Sequence, residues 1–118
     1  MRLTPHAMVM LHCQPMKLSL QQSEQIVEAM VESKAYVIEH CTEDHDLVIE
    51  CAKRRIADVM VEHGVGIIEA GLMLTLSLTN QWGQPENMKP IPFLAFNVMR
   101  AACYELIKEK AGRDAQLN

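Results

Sequence analysis

Aromatic residues make up only 4% of this 118-residue chain: Trp82, two tyrosines and two phenylalanines. Base-stacking platforms for single-stranded nucleic acid and ring-lined sugar grooves need more rings than that. A basic excess is lacking as well. Eleven Lys and Arg face 15 Asp and Glu, for a formal net charge of -4. That balance argues against a broad footprint on nucleic acid or an anionic membrane. Cys13, Cys41, Cys51 and Cys103 contain no C-x-x-C pair, which excludes a zinc knuckle or a thioredoxin-type redox motif. The longest apolar run, Val65 to Thr79, contains Glu69 and falls short of a membrane span. Residues 1–15 are interrupted by Pro5, His6 and His12, so they lack the apolar stretch of a secretory signal. Internal repeats and low-complexity blocks are missing too. These absences lead to the expectation of a cytoplasmic protein with reduced thiols, no cofactor and no membrane anchor.

What is present is an apolar fraction of 49%, including nine methionines. A chain of this length makes one domain with a real core and needs no disulfide or metal staple. Residues 1–15 carry two prolines and no charge after Arg2, and read as a loose arm or an edge strand.

Helical signals begin at Ser19, which with Gln22 has the spacing of a capping box. Val27, Met30, Val31, Lys34, Ile38 and Cys41 recur at steps of three and four, which predicts a helix from about 20 to about 41 with that face buried. Thr42 is the next cap candidate, with Glu43, Asp44 and Asp46 placed for the helix dipole. Val48, Cys51, Ala52, Ile56, Val59 and His63 mark a second buried stripe, ended by a left-handed Gly64. Residues 65–80 are ambiguous. Leu72, Leu74, Leu76 and Leu78 alternate as in a strand. Gly66, Glu69, Met73, Ser77 and Asn80 instead form the thin polar stripe of a helix otherwise buried all round. Leucine's helix propensity favours the second reading. Pro92 suits the first turn of a last helix ending near Ala111-Gly112, with residues 112–118 a frayed tail.

The expected fold is therefore all-α, a four-helix up-and-down bundle. The alternative is an α+β fold with a strand at about 72–79 and an N-terminal strand. So apolar a third helix calls for a second copy, and Gly71, Leu74 and Leu78 are the interface candidates of an expected homodimer.

Three constellations could carry chemistry. Were the first helix to continue, Cys41 and His45 would share a face, with His40 adjacent; such i,i+4 pairs form half of a zinc site. His6, His12 and Cys13 are the only untethered further donors. The Glu-x-x-His repeat of carboxylate di-metal bundles is absent. Glu69, in the most apolar stretch, could act as an acid or base with His63 across the Gly64-Val65-Gly66 turn. That turn lacks the third glycine and the preceding strand of a dinucleotide-binding loop. Lys53, Arg54 and Arg55 form the only basic run, spread around a turn of helix rather than over a flat patch.

The leading functional expectation is a self-associating binding module for a partner protein or a small apolar ligand, rather than an enzyme. The alternatives are a small enzyme or metal-binding protein using Glu69 with His63, or His40, Cys41 and His45, and a helical regulator touching DNA through Lys53, Arg54 and Arg55.

Overall fold

The computed structural model describes residues 19–117, so the arm at 1–15 with His6, His12 and Cys13 lies outside the described residues. Helix makes up 88% of what is described, in four helices with no strand. They are α1 (Leu20–His40), α2 (His45–His63), α3 (Ile67–Trp82) and α4 (Pro90–Leu117), with a single 3-10 turn at Pro85–Asn87.

Each boundary has a local cause. The capping box at the start of α1 is formed: Gln22 N donates to Ser19 Oγ at 3.1 Å, and Ser19 N donates to Gln22 Oε1 at 2.9 Å. The cap of α2 is Asp44 rather than Thr42. Its carboxylate accepts from Asp46 N and Leu47 N, two of the free N–H groups of the first turn. Gly64 ends α2 at φ 62, and Val65 N closes back onto Met60 O at 3.2 Å. The turn that follows bends the chain by 106° between α2 and α3.

Residues 67–82 are helix, not strand. The threonines that favoured a strand are satisfied within the helix. Thr75 Oγ1 donates to Gly71 O and Leu72 O, and Thr79 Oγ1 to Leu76 O. In a helix the four alternating leucines part company: Leu72 and Leu76 point outward, while Leu74 and Leu78 are half-buried.

The core is built around α4, which packs against α1, α2 and α3, while α3 also packs on α2. Its centre holds Val37, Ile56, Ala70, Ala101, Ala102 and Cys103. Thus the helix covered on nearly every side is α4, not α3. Ala101, Ala102 and Cys103 are small enough for three neighbours to approach one axis.

Three further expectations are corrected. The buried face of α1 runs through Met30, Ser33 and Val37, one step round from Val27, Val31 and Ile38, which are exposed. On α2, Cys51 and His63 are exposed and Ile49 takes a buried place instead. α4 runs on to Leu117, past the end expected near Ala111-Gly112. Gly112 has no positive φ, and no proline follows to stop the helix. Among the described residues no single helix is long and apolar enough to cross a membrane.

Candidate functional site

The break between α1 and α2 separates the His40, Cys41 and His45 cluster. Cys41 leaves α1 with extended backbone, so Cys41 and His45 do not share a helical face. His40 stacks on the Tyr36 ring with centroids 4.0 Å apart, and its Nδ1–H reaches Tyr36 O at 3.1 Å. Cys41 is half-buried against the core. His45 Nδ1 lies 3.1 Å from Asp46 Oδ1, close enough for an ion pair when protonated but without hydrogen-bond alignment. Among the described residues no three His, Cys, Asp or Glu side chains are grouped to hold a metal ion.

Glu69 and His63 sit at the ends of successive helices. Glu69 stands in the first turn of α3, where its carboxylate folds over Gly66, the cap residue with no side chain of its own. There it complements the positive end of the helix dipole. His63 occupies the last turn of α2.

The basic run is divided. Arg54 is exposed, and Arg55 is loosely paired with Glu62 at 3.9 Å. Lys53 turns inward, and its side chain is only 12% exposed. It bonds Glu50 at 2.7 Å and also Glu109 on α4, and the Glu109 hydrogen bond is the main cause of its raised pKa. Beside it Lys34 of α1 pairs with Glu105 of α4, which also has Lys108 3.7 Å away. The Lys34 hydrogen bond holds the Glu105 carboxyl below its ordinary value. These pairs tie α1 and α2 to α4. They were hidden in the sequence because the partners stand 71 and 56 residues apart.

Gly71, Leu74 and Leu78 were singled out for an interface on α3. Gly71 is buried within the chain, facing Cys103 Sγ so closely that a Cβ would overlap it. Leu74 packs against the core, and Leu78 lines a cleft with Trp82 and Ile91.

Two features missed by the sequence reading remain. One is a line of apolar side chains on the outer face of α1: Leu20, Val27, Val31 and Ile38 are 78, 41, 44 and 50% exposed. At about 100° per residue these four fall within about 40° of arc. The other is a cavity of about 430 Å³ where α1, α3 and α4 meet. Ile26, Met30, Ile68, Leu72 and Phe96 line it, together with Arg100. The Arg100 guanidinium lies over the Phe96 ring, 5.2 Å from its centroid. Burial lowers its pKa, partly offset by the Glu32 carboxylate and Cys103. Among the described residues no carboxylate lies within 4.0 Å of it.

No family model, curated protein or solved structure matches this chain.

Proposed function

We propose that this protein is a helical binding module that self-associates through α1 and acts by holding a partner rather than by catalysis. The observation that supports this reading is the apolar line Leu20, Val27, Val31 and Ile38 on a helix whose principal neighbour is α4 alone. The spacing of 7, 4 and 7 residues is that of a coiled-coil seam. It is also self-complementary. A second, antiparallel α1 centred at the level of Ala29 sets Leu20 against the partner's Ile38 and Val27 against the partner's Val31. The same register brings Glu24 toward the partner's Lys34. Such an arrangement is what a two-fold interface requires, each contact occurring twice. Covering these side chains contributes on the order of 1 kcal/mol apiece. Leu76 of α3 is a further exposed apolar side chain. The free thiols Cys41, Cys51 and Cys103 support a reducing, cytoplasmic setting.

Light scattering tests this. The wild type is expected at twice 13.3 kDa, and Val31→Glu at the monomer mass with unchanged circular dichroism. Glu24→Lys, which faces like charge in this register, is expected to weaken the dimer as well. A wild type that remains at the monomer mass at high micromolar concentration overturns the reading.

A further inference from the structure

The cavity at the meeting of α1, α3 and α4 sets one half-buried guanidinium in a largely apolar wall. Its floor is Phe96 and Arg100 of α4, its sides are Ile26, Ala29 and Met30 of α1 with Ile68 and Leu72 of α3, and Gln22 and Gln25 stand beside them. The volume of about 430 Å³ lies in the range of about 300–1,000 Å³ usual for small-molecule sites.

Arg100 decides what kind of molecule fits. The other well-covered cations of the core seam, Lys34 and Lys53, each hold a carboxylate from a neighbouring helix. Among the described residues Arg100 has no such partner; it has the face of Phe96 and the through-space influence of Glu32 and Cys103. A half-buried charge without a counterion is costly, and a planar guanidinium is matched best by the two oxygens of a carboxylate. The apolar walls ask for a hydrocarbon body on the same molecule, and a single cation asks for a single negative charge.

We propose that this cavity binds a medium-chain monocarboxylic acid, with its carboxylate on Arg100 and its chain between Ile26, Ala29, Ile68 and Leu72. This deepens the binding-module reading but does not depend on assembly, because every wall residue belongs to one chain. A monomer that takes up the acid keeps this proposal and removes the dimer; a dimer that ignores the acid does the reverse.

Isothermal calorimetry with decanoate, decanol and decylammonium, using the full chain, tests the proposal. Decanoate is expected to bind one per chain. Decanol is expected to bind about tenfold more weakly or worse, and decylammonium not at all, as follows from losing one charge-assisted pair. Arg100→Gln should weaken decanoate by about tenfold or more and leave decanol unchanged, while Arg100→Lys recovers part of the loss. Ala29→Trp, a half-buried change at the wall, should exclude both ligands from a folded chain. It keeps the test decisive if Arg100→Gln melts early. No saturable binding of decanoate at about 1 mM, equal affinity in wild type and Arg100→Gln, or indifference to Ala29→Trp overturns the proposal.

Discussion

Gly71 and Cys103 meet where α3 packs closely on α4, and the two residues depend on each other. Gly71 has no Cβ, and the space a Cβ would take is held by Cys103 Sγ, with Cys103 Cβ at an ordinary 3.7 Å. Gly71→Ala should therefore destabilise the fold by about 1–3 kcal/mol through overpacking. Cys103→Ala removes the sulfur, so the double variant should be less destabilised than the two single changes added together. Urea melts of the three variants measure that coupling, and strict additivity would show that the two sites do not compete for space. The cysteines also differ in reactivity. Burial pushes the Cys103 thiol up to about 11, so at neutral pH it stays protonated and shielded. Cys51 is exposed. Of the three described cysteines, a thiol reagent should label Cys51 first in the native protein and Cys103 only on unfolding, as peptide mapping would read out. Since folding raises the Cys103 pKa, its protonated state favours the native form below about pH 9.0 and this contribution is lost as pH rises toward about 11.

At the scale of elements, α1 and α4 depart most from their sequence patterns. α1 has apolar residues on two adjacent lines, Met30 with Val37 and Val27 with Val31 and Ile38, and its periodicity alone does not say which line meets α4. In the fold Met30, Ser33 and Val37 face inward, and Lys34 on the same helix pairs with Glu105 of α4. α4 runs on through Gly112, where the sequence signals an ending. Glycine in a helix interior costs about 0.5–1 kcal/mol relative to alanine, too little to stop a helix already anchored by packing. The Cβ position at Gly112 is open. Gly112→Ala should accordingly raise stability by about 0.5–1 kcal/mol, seen as a higher melting temperature. A left-handed glycine would give the opposite sign, as Gly64→Ala should at φ 62.

For the whole molecule, the arrangement around α4 makes its polar seam a condition of stability. Glu105 is held below its ordinary 4.5 chiefly by the Lys34 hydrogen bond. A depressed folded value means that its contribution is present above about pH 4.5 and is lost as pH falls through the folded value. Glu105→Gln should lower stability by about 1 kcal/mol at neutral pH and flatten the acid limb of the stability curve. Urea midpoints measured from neutral to acid pH give both quantities, and parallel curves for the two proteins would remove the ion pair from the stability balance. The same seam explains why a run of three basic residues offers so little surface. Lys53 is drawn inward between Glu50 and Glu109, leaving only Arg54 and Arg55 outside.

The sequence by itself determined the local structure. The Ser19–Gln22 box, the left-handed Gly64, the prolines of the first turn of α4 and the leucine-rich α3 depend on residues within a few positions of one another, so short-range sterics and hydrogen bonding suffice. The candidate sites were less legible. The Cys41–His45 pairing presumed a helix that Asp44 caps and restarts, and Glu69 with His63 turned out to stand at two helix ends. Tertiary structure alone decided which face of α1 is buried, that α4 and not α3 is the central helix, that Gly71 serves the chain's own packing, and that Arg100 meets an apolar cavity. Each of these is a contact between residues far apart in sequence, and helical periodicity reports that a side chain lies on a face without reporting what that face will meet.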